Sequence, residues 1–387
     1  MDPIRLAQAL VRCPSVTPVD AGALDLVQQS LSDLGFTCHR LVFGDPPNGP
    51  VQNLFATIGE GPPHFAFAGH TDVVPEGTGW SVDPYAGVVE NGYLIGRGAA
   101  DMKSAIAAMI SAASAHVARN HSGTLSFIIT GDEEGPATFG TDQILEWMQT
   151  NNQCPDMCLV GEPTSVHHLG DMMKIGRRGS LNCWITVNGA QGHVAYPDRA
   201  DNPIPRLLAL LQELQERSLD SGTAWFSPSN LEIVDLHVGN PATNVIPASA
   251  SARLNIRFND THTGVQLTEW IRSVAERHGP SNDVNVRISG EAFITQAGAL
   301  STMVSDSVQS VTGRIPELST SGGTSDARFI RRVCPVVEFG LPGASMHKLD
   351  EKAALVDIAS LARIYDHVLY KVFSGSNSIA LAGECTL

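Results

Sequence analysis

Apolar residues along this chain fall into short continuous runs that stop abruptly at glycine followed by histidine or acid. Residues 65–68 (Phe-Ala-Phe-Ala) break at Gly69-His70-Thr71-Asp72. Residues 125–130 stop at Gly131-Asp132-Glu133-Glu134-Gly135, and 157–160 stop at Gly161-Glu162-Pro163. A fourth run, 335–339, leads into a loop that carries His347. Uninterrupted apolar runs of about four to eight residues, bounded by turn formers, predict strands buried on both faces. Helical spacing marks 4–12 and 22–34, separated by the turn-rich 14–18. Strands are expected at 36–42 and 52–58, around a Pro/Gly loop at 44–50. The segment 103–118 is small and apolar nearly all round, which suits a helix pressed against a sheet, and another helix is expected at 140–150.

A different pattern occupies 181–289. Strand 181–188, helix 203–217, strands 231–238 and 248–258, helix 263–278 and strand 283–289 follow in that order. This β-α-β-β-α-β succession is the split, ferredoxin-like unit. It carries no acid cluster at its strand ends. The run Leu207-Leu208-Ala209-Leu210-Leu211, with Leu214, gives one helix a broad apolar face that needs cover. A small sheet also exposes edges. A homodimer contact through this insertion is therefore expected. The predicted architecture is α/β: a mixed-sheet catalytic domain from 1–180 and 290–387, interrupted by a dimerisation or lid domain at 181–289.

At 387 residues the chain is too long for one ordinary core. Its 43% hydrophobic and 17% charged residues are those of a globular protein. A formal net charge of -15 argues against nonspecific nucleic-acid or anionic-membrane binding. No run reaches the length of a membrane span, and the first residues lack a charged-then-apolar leader pattern. Seven scattered cysteines include the lone pair Cys154 and Cys158, with no second pair to complete a structural zinc site, so buried thiols are expected. The expectation is a reduced, cytoplasmic protein. The tail 374–387 has no periodic pattern and is expected to lack regular structure.

The strand stops carry the chemistry. In open α/β sheets ligands bind beyond the carboxyl ends of the strands. Here His70, Glu133 and Glu134, Glu162 and His347 all follow such ends, and Asp101 closes the Gly-rich segment 96–101 before a helix. Taken singly, Asp101 reads as a helix N-cap and the Glu133-Glu134 pair as solvated turn carboxylates. Together, two histidines and three carboxylates match two divalent ions with mixed nitrogen and oxygen ligation, zinc being the commonest. Asp101 would bridge ions about 3.5–4 Å apart. His70 and Glu162 would complete one site, and Glu134 and His347 the other. Asp72, on the same side of extended chain as His70, is expected to hold the other ring nitrogen with its carboxylate. Glu133 remains as general base toward a water activated by the ions.

The stretches Gly69-His70-Thr71-Asp72-Val73-Val74-Pro75, Gly96-Arg97-Gly98-Ala99-Ala100-Asp101-Met102-Lys103 and Asp132-Glu133-Glu134-Gly135-Pro136-Ala137 resemble the co-catalytic zinc deacylases and exopeptidases, a family that includes aminoacylase, acetylornithine deacetylase and carboxypeptidases. The resemblance runs over essentially the whole chain. It implies metal roles for His70, Asp101, Glu134, Glu162 and His347, a base role for Glu133, and a cis peptide after Asp101. It also implies two Zn2+ per subunit, with Co2+ able to substitute, and a homodimer in which His193 crosses the interface to polarise the scissile carbonyl. Four further stretches, 177–180, 191–197, 200–203 and 319–329, resemble the branch that releases succinate from N-succinyl-L,L-2,6-diaminopimelate in lysine and cell-wall precursor synthesis. Arg178, Ser180, Tyr196, Asn244, Arg257, Gly323 and Thr324 stand where that branch places its substrate contacts. Arginine suits bidentate carboxylate binding.

The chain departs from the family pattern at three places. It has Glu76-Gly77 for the usual Pro-Gly, Ser104 for the Gly after the motif lysine, and Gly343 for an Asn four residues before His347. The last bears on substrate choice, so an acetylornithine deacetylase or a metallo-carboxypeptidase is the alternative. A non-catalytic metal-binding dimer is a third reading, which the presence of Glu133 and all five ligands opposes.

Overall fold

The three runs that stop at histidine or acid and the run that leads to His347 lie side by side. In a computed structural model that describes residues 1–46, 48–119, 122–280 and 282–374, Gly123–Thr130, His64–His70, Met157–Val160 and Val336–Glu338 are consecutive parallel strands of one eight-stranded sheet. Adjacent parallel strands end on the same edge, so the segments that follow them emerge together. Apart from His64, every residue of the four is buried, which is why their sequences read as continuous apolar runs rather than alternating ones. The sheet is mixed. Thr37–Phe43 and Val51–Glu60 pair antiparallel on one flank, while Met172–Lys174 and Glu317–Ser319 extend the other.

The helix Ser104–Ala118 follows a five-residue wide turn, Ala99–Lys103, and packs against Pro3–Val11 and Leu355–Phe373. Its first seven residues are all buried, as their small side chains allow. Phe67 sits at the centre of the core, with its ring 5.7 Å from Phe127 and 5.2 Å from Tyr365. Burying each such aromatic contributes about 1.5–3 kcal/mol. The Tyr365 hydroxyl donates to the Phe339 carbonyl at 2.6 Å, tying the core to the start of the loop that carries His347. Glycine directly precedes two candidate ligands for a steric reason. A Cβ at Gly69 would collide with the Met102 side chain, and one at Gly161 with Met109 and Met102.

The chain divides into two compact units, one of Met1–Ile175, Thr295–Ser319 and the described residues from Ser325, the other of Gly176–Ile294 and Thr320–Thr324. The boundaries therefore fall about five residues outside 181–289, and a short return segment joins the insertion. Within the second unit the strands Asn230–His237, Ser249–Phe258, Gly179–Asn188 and Asn282–Gly290 form an antiparallel sheet in that spatial order. Pro203–Glu216 and Gly264–Arg277 cover one face, burying Leu181, Ile185, Leu254, Phe258, Leu267 and Ile271. Leu207, Leu210, Leu211 and Leu214 are buried in this unit's own core, and Leu208 and Ala209 of the run are exposed. The apolar helix face thus needs no second copy to cover it, against the sequence expectation.

Several elements have no counterpart among the sequence expectations. Val88–Glu90, Tyr93–Ile95 and Lys352–Ala354 form a three-stranded sheet, and Ala299–Thr312 and Leu355–Phe373 are helices. Cys158, Cys183 and Cys334 are buried thiols. The tail at 375–387 lies outside the described residues. Among those residues, no helix is long and apolar enough to cross a membrane.

Candidate metal centre

Asp101 is the hub of a cluster at the carboxyl edge of the parallel strands. Its Oδ1 lies 3.2 Å from His70 Nε2, and its Oδ2 lies 3.3 Å from His347 Nε2. The same His70 nitrogen is 3.8 Å from Glu162 Oε1, and the same His347 nitrogen is 2.8 Å from Glu134 Oε1. Two halves result, His70 with Glu162 and His347 with Glu134, sharing one carboxylate. Donor atoms of His70, Asp101 and Glu162, and of Asp101, Glu134 and His347, all lie within 4.8 Å of one another. The helix Ser104–Ala118 has Lys103, not Asp101, at its N-cap, so the capping explanation for Asp101 fails. The peptide between Asp101 and Met102 is cis.

Local folding explains how each side chain arrives. His70 is the last residue of its strand, and its Nδ1 donates to the Asp72 backbone carbonyl at 2.9 Å. The Asp72 carboxylate is farther, at 3.6 Å, so the expectation that it holds the ring is corrected: the backbone does. That carboxylate accepts instead from the backbone N–H of Glu133 at 3.2 Å and of Glu134 at 3.0 Å. Asp72 therefore sets the direction of the two glutamates rather than that of the imidazole. Burial pushes its carboxyl up to about 6. Asp132, absent from the sequence candidates, accepts from the backbone of Thr138 at 2.9 Å and Phe139 at 3.0 Å and closes the loop behind them. Asn53 reaches the same loop through the Phe139 carbonyl at 2.9 Å. A buried polar residue inside an apolar strand was the only sequence signal for Asn53.

The electrostatics favour cations. With Nδ1 donating to a carbonyl, a neutral His70 presents its Nε2 lone pair to two carboxylates. Burial alone would lower the His70 pKa, but Asp101, Glu162 and Glu133 outweigh it and raise it well above the ordinary value. Hydrogen bonds to Asp101 and then Glu134 lift His347 to about 10. Burial would raise Asp101, yet the hydrogen bonds from His347 and His70 prevail and hold it low. Glu133 keeps some accessible surface, but burial, followed by the charge of Glu162, pushes its carboxyl well above the usual range. Four carboxylates around two imidazoles carry a surplus of negative charge that a pair of divalent cations would balance. His347 also adopts a left-handed φ of 60°. The donor set fits two metal ions.

The remaining candidates belong to the second unit. His193 is exposed, pairs in a two-residue strand with Val245, and accepts from the Ala195 N–H at 3.1 Å. Its ring lies 5.7 Å from that of Tyr196. The Asn244 carbonyl accepts from Val194 at 3.0 Å, which fixes the neighbouring loop. Ser180 stands opposite Arg257 in the antiparallel register. Arg257 donates to Asn255 and Arg178 to Asn230, each at 3.1 Å. Burial and then the Arg178 charge lower the Arg257 pKa, so the two guanidiniums are close enough to repel. Two neighbouring arginines suit a dianionic or carboxylate-rich ligand. Gly323 and Thr324 lie in the return segment of this unit.

Known proteins bear directly on this arrangement. A succinyl-diaminopimelate desuccinylase of Rhizorhabdus wittichii is 57% identical over 374 residues, covering 97% of this chain and 99% of the relative. The protein of the same name from Zymomonas mobilis is 55% identical over the same shares of the two chains. Among solved structures, the aminopeptidase PepT of Bacillus cereus superposes with a TM-score of 0.79 at 19% identity, covering 96% of this chain and 98% of that one. The Bacillus subtilis YXEP protein, described as a dinuclear metal-binding peptidase, superposes with a TM-score of 0.70 at 16% identity and the same coverage. The model of the peptidase family M20/M25/M40 matches residues 66–371. With the family model spanning most of its length and full-length relatives above half identity, the chain belongs to the peptidase family M20/M25/M40.

Proposed function

We propose that this chain is a metal-dependent amidohydrolase that cleaves N-succinyl-L,L-2,6-diaminopimelate to succinate and L,L-diaminopimelate. The observation that carries the reading is the shared-carboxylate cluster beside Glu133, joined to near-full-length relatives that bear the desuccinylase name. His70, Asp101 and Glu162 would hold one ion and Asp101, Glu134 and His347 the other, Zn2+ by preference with Co2+ as a substitute. Such ions polarise a carbonyl and lower the pKa of water to about 7. The protein's own groups do the rest. Glu133 Oε takes a proton from the attacking water as its oxygen adds to the amide carbon. The C–N bond then breaks, and the proton passes from Glu133 to the leaving amine nitrogen. Asp72 keeps Glu133 aimed by gripping its backbone N–H.

The second unit is read as the ferredoxin-like dimerisation domain, supported by its strand order and by the exposed edge strand with Val234 and Leu236 outward. In a homodimer, His193 of one subunit would serve the other as a carbonyl donor. Arg178, Arg257, Ser180, Tyr196, Asn244, Gly323 and Thr324 would bind the two charged ends of the substrate. A cytoplasmic location accords with a role in diaminopimelate and lysine synthesis. Steady-state assays settle the substrate. Succinate release from succinyl-diaminopimelate should exceed acetate release from N-acetylornithine in kcat/KM, and the reverse order would overturn the choice made despite Gly343.

A further inference from the structure

Two fully enclosed charges lie beneath the cluster that the mechanism does not use. Glu351 has no exposed surface and Arg97 is 2% exposed. Glu351 Oε2 accepts from Arg97 Nη1 at 2.8 Å and from the Gly98 N–H at 3.1 Å. Its Oε1 accepts from the Ala100 N–H at 2.9 Å and from the Asp101 N–H at 3.1 Å. One carboxylate thus grips the backbone on the N-terminal side of Asp101 at three points. Arg97 reaches outward from the same pair, donating to the Lys348 carbonyl at 3.3 Å and to the carbonyls of Pro75 and Glu76 at 3.4 and 3.2 Å. The Gly96 N–H closes the ring on the Glu351 carbonyl at 2.9 Å.

We propose that the buried Glu351–Arg97 pair is a positioning device that locks the segments carrying His70, Asp101 and His347 to one another, so that Asp101 presents one oxygen to each histidine. Three segments distant in sequence meet on this pair, and each leaves it within six residues of a candidate ligand. A purely structural ion pair at this depth gains little over an apolar replacement. Here the carboxylate also satisfies three backbone donors that no apolar side chain could serve. Outer partners of this kind fix ligand direction, and losing one typically costs about 10–100-fold in metal affinity or activity.

The inference rests on the two-ion reading of the centre, and the test separates the two. Zn2+ is titrated calorimetrically into the metal-free wild type and into Glu351→Gln, and both are assayed for succinate release at saturating Zn2+. The expected result is two ions in the wild type and about a 10–100-fold weaker second ion in Glu351→Gln. kcat should fall while KM stays within about twofold, and Glu351→Asp should recover part of the loss. Two ions bound by the variant at wild-type affinity, with wild-type kcat, would overturn the positioning role alone. Fewer than two ions in the wild type would overturn the centre itself and this inference with it. Should Glu351→Gln not fold, Arg97→Lys decides, since it keeps both charges but loses the fork: a weakened second ion supports the role, and unchanged affinity refutes it.

Discussion

The two units reach their chemistry by opposite routes. In the first, candidate ligands stand at the ends of parallel strands whose side chains, His64 apart, are all buried, and the core itself dictates where His70, Glu134 and Glu162 emerge. In the second, the candidate substrate groups lie along an antiparallel sheet and its loops, and Arg178 and Arg257 are each held by a hydrogen bond to an asparagine. A centre that must present several donors to small cations tolerates little slack, whereas groups that receive a flexible, charged substrate can. The physical lesson is that rigidity was placed where coordination needs it.

The largest effect should come from the group that does chemistry without holding an ion. Glu133→Gln should lower kcat by about 10²–10⁴-fold with metal content unchanged. Undiminished turnover in that variant would remove Glu133 as the base. In the second unit, Leu210 is enclosed whereas Leu208 on the same helix is 53% exposed. Leu210→Ala should cost about 2–5 kcal/mol in denaturant unfolding, while Leu208→Ser stays within about 0.5 kcal/mol. Equal costs would contradict the assignment of the helix face to the unit's own core.

Beside the centre, Lys103 is fully buried and donates to the Cys13 carbonyl at 2.7 Å, and burial pulls its pKa down to about 8. An amine depressed on folding leaves the unfolded chain binding more protons between pH 8 and 10.5. Stability should therefore rise with pH through that window, fall as pH drops back through it, and stop responding to this amine below pH 8, where both states carry the charge. Measured against Lys103→Met, the wild type should gain about 3 kcal/mol in unfolding free energy from pH 8 to 10.5. A pH-independent difference would mean that the amine is charged to the same degree in both states. The smallest change is expected on the substrate side, where Arg178→Met should reduce kcat/KM by about 10–100-fold through one lost charged hydrogen bond, with both ions retained.

Much of this arrangement could be read in the linear chain because burial on both faces leaves a distinctive imprint. Parallel strands such as 125–130 are continuous apolar runs, and whatever polar residue ends them must lie on the sheet's edge. The helix 103–118 betrayed its tight packing through its alanines for the same reason. Side-chain direction past a strand end carries no such periodicity. That is why Asp72 was assigned to the His70 ring when its carboxylate grips the Glu133 and Glu134 backbone instead. Three-residue strands such as Tyr93–Ile95 are too short to show a period at all. Glu351 was invisible because an acid amid loop residues reads as solvated surface, and only its four donors reveal otherwise. The Leu207–Leu214 face is legible as apolar, but sequence alone does not say which sheet covers a helix, and here the unit's own sheet does.

The central claim is that one carboxylate, Asp101, is shared by two cations at the common edge of the parallel strands. Electron paramagnetic resonance of the metal-free protein reloaded with two equivalents of Co2+ tests this most directly, with Asp101→Ala as the control. The expected result is a magnetically coupled pair in the wild type whose coupling disappears in the variant. Two uncoupled ions in the wild type, or coupling that survives the loss of Asp101, would contradict it.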